Sequence, residues 1–336
     1  MKTMLIIGAG GFIGGFIAQE SLRRGYDTYV AVRRTTSRRY LDDPRLHFVV
    51  LDYENPQAMS ESLRESAPES GKWDYMIYNL GATKCANFAD FNKINFIYLR
   101  TFVQVLEKDN MLPERFLYMS SLSALGPGDE KTYSPLTSST VPNPNTMYGL
   151  SKIKSETFLQ TVPGLNYIVF RPTGVYGPHE QDYLMMVKSI DNHWDFGIGF
   201  RRQMLTFIYV EDLVNAMMDA IAAGVSRKTY IISEPRAYSQ AEFRRIVARA
   251  LGKKWVIPVR LPLWIAYAAS VVAEKWGVMK MKPSTLNRDK FKIMKQRNWC
   301  ADVSDAVHDF GFAPRFSLED GINATVKAYL ADKKQK

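Results

Sequence analysis

Residues 4–14 read MLIIGAGGFIG, an apolar run that breaks into a glycine turn, with Gly8, Gly11 and Gly14 evenly spaced, before an amphipathic stretch begins. Few chain geometries suit such a segment. The apolar run has the length of one strand buried on both faces. The glycines permit a tight turn and a close approach of backbone to backbone, and the stretch that follows, 11–24, opens a helix. A helix N-terminus presents free amides and partial positive charge, which makes this turn a ready phosphate site. A purely structural turn uses the same residues. Placement between a first strand and a first helix, however, is the arrangement that cradles a dinucleotide pyrophosphate. Gly8, Gly11 and Gly14 are therefore assigned to a nucleotide cofactor.

Further strands are expected at 27–33, 46–51, 75–80, 115–120 and 167–171, all short and rich in β-branched or aromatic residues. Helical stretches separate them, among them 89–107 and 147–160. Such alternation argues for an α/β fold, a doubly wound parallel sheet of Rossmann type with helices on both sides. A helix at 210–223 and a strand at 229–233 extend that sheet, and Ser239 with Glu242 forms a capping box that opens another helix. The expected division is a cofactor-binding domain over 1–177, its sheet extended by about 205–235. A smaller, mostly helical substrate-binding region is expected over 178–204 and 236–336, with prolines at 258, 262, 283 and 314.

The second strand ends in AVRRTTSRR. Where an acidic residue would hold the ribose 2′-hydroxyl of NAD, about 20 residues past the glycines, this chain has Arg33, with Arg34 beside it and Arg38 near. Guanidinium groups bind a 2′-phosphate by charge-assisted hydrogen bonds, whereas a carboxylate repels it. A solvated basic loop is the plainer explanation of these arginines. NADP is nevertheless the expected cofactor, with NAD the alternative.

Composition narrows the remaining classes. A net charge of +10, from 44 basic and 34 acidic residues, attracts anions such as phosphates, but no basic-aromatic array of a nucleic-acid reader is present. The four histidines have no metal-ligand spacing, so no metal is expected. Two cysteines, Cys85 and Cys300, form no disulfide framework and suit a reducing, cytoplasmic compartment. The N-terminus lacks the pattern of a secretory leader. The apolar stretch LPLWIAYAASVVA, 261–273, is too short to span a bilayer. It is read as a core or pocket helix, with rest on a membrane surface as the other possibility.

YGLSK, Tyr148 to Lys152, places a phenol and an amine on one helix face. The spacing alone is weak, since Tyr329 and Lys333 repeat it in the tail. Its surroundings are more specific. GAGGFIG, the aspartate of VLDY (Asp52), NLGA (79–82), Asn95, YMSSLSALG (118–126), YGLSK, RPTGVYGP (171–178) and FIYVEDL (207–213) follow one another in order. Together they resemble the extended short-chain dehydrogenase/reductase family, the NAD(P)-dependent epimerase/dehydratase group, over nearly the whole chain. The resemblance implies an enzyme in which Tyr148 is the general acid/base and Lys152 favours its phenolate and binds the nicotinamide ribose. It also implies that Ser121 hydrogen-bonds the substrate oxygen. Ser120 and Ser123 lie close, and spacing does not decide which hydroxyl faces the substrate. For the cofactor it implies Phe12 and Ile13 amides on the pyrophosphate, Asp52 and Tyr53 near the adenine, and Leu80, Gly81 and Ala82 along the adenine ribose. Asn95 belongs to the same cofactor set, with Pro172 and Thr173 on the nicotinamide side. Members often dimerise through two helices, here 89–107 and 147–160.

Substrate class is less constrained. Nucleotide-sugar epimerases and dehydratases carry Asn at the position of Gly174 and Arg at that of Leu205, both for the sugar diphosphate. Arg201 and Arg202 are the available substitutes. The chain looks closer to the branch of 3β-hydroxysteroid dehydrogenases and dihydroflavonol reductases. RPTGVYGP and the aromatic segment PLWIAYAASVVAEKWG, 262–277, fit an apolar alcohol or ketone. A nucleotide-sugar enzyme is the first alternative and a non-catalytic NADP sensor the second. The closing segment, 297–322, resembles that of many members without indicating a substrate.

Overall fold

A computed structural model describes residues 1–85, 87–279 and 286–334. Its centre is a seven-stranded, all-parallel sheet. The strands β1 (Thr3–Ile7), β2 (Asp27–Val32), β3 (His47–Val50), β4 (Tyr75–Tyr78), β5 (Arg115–Met119) and β6 (Tyr167–Pro172) supply six of them. The Lys228–Ile232 strand adds an edge next to β6, and the order across the sheet is Lys228–Ile232, β6, β5, β4, β1, β2, β3. The order reverses between β1 and β4, so the ends of those two strands form the crevice where ligands bind in such sheets.

β1 shows why the sheet is buried on both faces. All five of its residues are buried, and successive side chains alternate between two cores. Met4 and Ile6 pack with Ile17, Phe170 and Met217 on one side, while Leu5 and Ile7 pack with Trp73, Phe102 and Leu159 on the other. The first core lies under α1 (Phe12–Arg23) and the Val210–Ala222 helix; the second lies under α2 (Pro56–Ser66). Local chemistry sets several ends: Asn55 caps α2 by accepting from Ala58 N at 3.1 Å, and the Ser239–Glu242 capping box opens the Gln240–Ala250 helix.

The stretch expected as one helix over 89–107 is three elements: α3 (Phe88–Asn92), a π-helical turn Lys93–Ile97, and α4 (Tyr98–Lys108). The ladder widens where the Asn95 carbonyl takes the Ser155 hydroxyl at 2.8 Å, a side-chain donor from α5 (Met147–Thr161). Two elements of the C-terminal part have no counterpart in the sequence reading. Trp194–Ile198 and Ile257–Leu261 pair as a parallel two-stranded ribbon. Pro258 is tolerated there because each strand has one neighbour only. Phe207–Tyr209 pairs with Gly174–Tyr176 rather than joining the main sheet. Pro283 lies outside the described residues. The segment 261–273 begins the Leu263–Met279 helix, but the core-helix expectation is corrected: Ala266 and Ser270 are buried while Trp264, Tyr267 and Val272 are exposed.

Candidate active site

The glycine turn ends β1 at the crevice. Gly8 has φ of +83°, and a Cβ there would lie 2.7 Å from Leu80 N, so the turn and the end of β4 touch backbone to backbone. A Cβ on Gly14 would lie 2.3 Å from Gly8 O, which fixes α1 hard against the turn. At Gly11 a Cβ would meet only Gly8 O at 3.5 Å, leaving that side open. Gly11 is the N-cap of α1 and gives it no side-chain bond, so the first-turn amides of Phe12 and Ile13 face outward without a cap. A cradle of this shape, with free amides, fits the pyrophosphate of a nicotinamide dinucleotide.

Arg33, Arg34 and Arg38 follow β2, all exposed and with no carboxylate partner among the described residues. Arg38 lies over the Phe48 ring at 4.2 Å from its centroid, and the loop is folded by Arg33 N donating to Thr36 Oγ1 at 3.0 Å. Asp52 is exposed just beyond β3. Tyr53 is not available as a side chain: it is buried and stacks on Tyr98, with ring centroids 5.4 Å apart. Asn95 is likewise withdrawn from ligand contact. It is inaccessible, its Oδ1 accepts from Ala82 N at 2.7 Å, and its Nδ2 donates to Ala82 O and to Ser151 Oγ at 3.1 and 2.9 Å. Its role is to shape the Leu80–Gly81–Ala82 backbone. Pro172 ends β6, and Thr173 donates its amide to Ile232 O at 3.1 Å and its hydroxyl to Ser233 at 3.1 Å.

Tyr148 and Lys152 stand on α5, which runs past the ends of β4 and β5. Thr146 caps this helix by accepting from Gly149 N at 3.0 Å. Asp289, from the distant Arg288–Lys295 helix, accepts from Met147 N at 2.6 Å and Tyr148 N at 3.1 Å. A buried carboxylate against a helix N-terminus is a favourable charge–dipole contact. Lys152 is 4% exposed; its Nζ donates to Met119 O at 2.7 Å and lies 5.9 Å from the centre of the Tyr148 ring. A Cβ on Gly81 would come within 3.2 Å of this Nζ, so the amine bridges the ends of β4 and β5.

The three serines separate cleanly. The Ser120 hydroxyl donates into the protein, to Glu156. Ser121 caps a short turn by accepting from Ser123 N at 3.2 Å, and it is the serine whose hydroxyl acts on the Tyr148 phenol, holding its pKa down. Ser121 is thus the serine grouped with the phenol. Beneath them Glu156 takes Arg171 through Nη2 at 2.6 Å and Nε at 3.1 Å, a pair almost wholly out of water.

Burial governs the protonation of this corner. It pushes the Tyr148 phenol up to about 12, with the Ser121 hydrogen bond opposing. It pulls the Lys152 amine down to about 7, against the negative charge of Glu156. Burial sets both shifts, and neither group is among the causes of the other's. Sequence reasoning missed Glu156 and Asp289. Glu156 was within reach, four residues after Lys152 on the same helix face. Asp289, 141 residues from Tyr148, carries no local signal.

Residues 4–233 match the model of the NAD dependent epimerase/dehydratase family. The chain belongs to that family. It is an NAD(P)-dependent enzyme of the extended short-chain dehydrogenase/reductase type. A dTDP-glucose 4,6-dehydratase from Neisseria meningitidis serogroup B is 22% identical over 99% of this chain and 94% of its own length. The human short-chain dehydrogenase/reductase family 42E member 1 is 32% identical, but over 33% of this chain and 30% of its own. Among solved structures, DesIV from Streptomyces venezuelae, a dTDP-glucose 4,6-dehydratase with NAD bound, superposes with a TM-score of 0.79 at 20% identity, covering 99% of this chain and 98% of that one.

Proposed function

We propose that the protein is an NADP-dependent oxidoreductase that moves hydride between nicotinamide and a secondary alcohol or ketone on an apolar, steroid- or flavonoid-like substrate. The observation that carries this reading is the grouping of Ser121, Tyr148 and Lys152 at the strand ends beside the glycine cradle. When bound, the nicotinamide supplies or accepts the hydride. Tyr148, protonated at neutral pH, donates its proton to the substrate oxygen as a ketone is reduced, and Ser121 holds that oxygen by a hydrogen bond. Lys152, titrating at about 7, is the proton source that restores the phenol. These protonation states suit reduction by NADPH.

Two further observations support the finer assignments. Arg33, Arg34 and Arg38 are exposed after β2 with no carboxylate partner among the described residues, which supports a 2′-phosphate ligand, and Asp52 is the nearest acid after β3. At Gly174, where sugar-nucleotide enzymes carry Asn, a Cβ would fall 2.0 Å from the Tyr183 hydroxyl, so a longer side chain there requires the Tyr183 ring to move. The second reading is a nucleotide-sugar epimerase or dehydratase, favoured by the full-length likeness to the dTDP-glucose enzymes, whose structures hold NAD. A third, an NADP sensor without turnover, is disfavoured by the intact Tyr148–Lys152–Ser121 group. The test is turnover of purified protein with NADP⁺/NADPH and NAD⁺/NADH against hydroxysteroids, flavanols and their ketones, with UDP- and dTDP-sugars followed by product analysis. Net NADPH oxidation by an apolar ketone supports the first reading. Sugar conversion without net cofactor change overturns it.

A homodimer fits the same family pattern. A shallow groove of about 490 Å³ on the outer side of the helices expected to dimerise is lined by Phe88, Phe96, Leu150, Ile153 and Phe158. Such a groove suits the same helices of a second copy, which sedimentation would test.

A further inference from the structure

The Leu263–Met279 helix has two charged residues, Glu274 and Lys275, and is otherwise apolar or small on every side. A helix of this kind is normally enclosed, by a protein core or by lipid. Here Trp264 is 73% exposed and Trp276 60%. The ribbon beside it repeats the pattern. Asp195 turns inward to Arg244 and Arg260, at 3.2 and 3.0 Å, which sends Trp194 and Phe196 to the outer face. Their rings lie 6.2 Å apart and nearly parallel, and both are exposed. Gly199 joins ribbon to helix, since a Cβ there would lie 3.3 Å from Leu263 Cδ2. Phe200, next in the chain, is 75% exposed. Of the six tryptophans in the chain, four (Trp194, Trp255, Trp264 and Trp276) are exposed on these segments. A concentration of this kind marks an interaction surface.

Charge identifies the occupant. Arg201, Arg202, Lys254 and Lys275 are exposed on the same segments and have no carboxylate partner among the described residues. The carboxylates of these segments are taken: Asp195 by Arg244 and Arg260, and Glu274 by Arg288 at 2.8 Å. Apolar aromatic rings bordered by free cations complement a surface that is apolar within and anionic at its boundary. A second copy of the chain would set like charges against each other.

We infer that this face seats on an anionic phospholipid bilayer, with the tryptophan and phenylalanine rings in the headgroup boundary and the cations on lipid phosphates. No helix among the described residues is long and apolar enough to cross a membrane, so the attachment is peripheral. The face also lies one helix away from the candidate catalytic corner. Tyr267 packs on Phe291 at 5.5 Å, on the helix whose Asp289 holds the amide of Tyr148. An apolar substrate taken from the bilayer would arrive at that corner. The inference itself does not depend on the substrate.

The test is flotation of the full chain with phosphatidylcholine vesicles and with phosphatidylcholine–phosphatidylglycerol vesicles, without substrate or turnover. The protein is expected to float with the anionic vesicles, with a blue-shifted tryptophan emission, and to be released by salt. Trp264→Glu with Phe200→Glu abolishes flotation while NADPH binding and the unfolding temperature stay as in the parent, which separates lost docking from misfolding. Arg202→Ser weakens partitioning about fivefold. Failure to float with anionic vesicles overturns the inference, as does equal binding to neutral vesicles that ignores these substitutions. A concentration-dependent dimer that Trp264→Glu dissolves also overturns it, assigning the face to a second copy.

Discussion

Trp73 and Trp264 carry the same side chain in opposite settings. Trp73 is wholly buried just ahead of β4 and packs in the second core, while Trp264 is 73% exposed on the Leu263–Met279 helix. The candidate catalytic corner belongs with Trp73. Lys152, Glu156, Arg171 and Ser120 are all buried, each held by at least one named hydrogen bond, and α5 is pinned from two directions. The aromatic lobe spends its apolar surface on solvent. The difference separates two tasks. Positioning a proton-transfer pair demands groups whose geometry is over-determined by packing, because small displacements cost much of the rate. Recognising a large apolar surface demands the reverse, side chains left uncovered until the partner arrives.

The largest expected effect belongs to the corner. Tyr148→Phe lowers turnover about 10²–10⁴-fold and leaves NADPH affinity nearly unchanged, as read by steady-state kinetics beside cofactor titration. Normal turnover in that variant would break the assignment. Next comes the buried pair beneath it. Glu156→Ala strands Arg171 without its partner and is expected to cost about 3–5 kcal/mol of stability, measured by chemical denaturation. A cost below about 1 kcal/mol would show that water reaches the pair.

The conservative change Glu156→Gln sharpens the same point through pH. Lys152 must be protonated to resupply the phenol, so ketone reduction falls as pH rises through about 7. Glu156 raises the Lys152 pKa by its negative charge, and its removal moves that alkaline limb to lower pH. An unmoved limb would detach Lys152 from the profile. The stability sign follows from the same shift. The native chain binds fewer protons than the unfolded chain between about 7 and 10.5, so the penalty that this buried amine places on folding lessens as pH rises across that window.

Arg33→Asp tests a region between the two extremes, exposed yet built for a specific charge. It is expected to weaken NADPH binding about 10–100-fold, the scale of one or two charge-assisted hydrogen bonds, with NADH much less affected. Equal losses would show that Arg33 does not meet the 2′-phosphate. The smallest effect is expected at the lobe: Trp264→Ser changes stability by less than about 0.5 kcal/mol. Trp73→Ala, by contrast, costs about 3–5 kcal/mol. Comparable losses at both sites would mean that the Leu263–Met279 helix is part of the folded core.

What could be read from the chain alone follows the range of the interactions involved. The parallel sheet, the glycine cradle and the Tyr148–Lys152 spacing were legible because strand period, turn stereochemistry and helix pitch act over a few residues. Gly8 had to be glycine for a turn with φ of +83°, and that requirement is local. The choice of Ser121 over Ser120 was not local. It depends on Glu156 and Arg171 drawing the Ser120 hydroxyl inward from two other elements. Asn95 and Tyr53 read as cofactor residues by position, yet packing spends one on the Ala82 backbone and the other in the core. Asp289 beneath Tyr148, the Tyr183 hydroxyl against Gly174 and the outward face of the tryptophan lobe exist only because distant segments meet. Period and composition report what a segment must bury or turn; which groups then meet, and which stay uncovered, is decided by the tertiary contacts that compete for them.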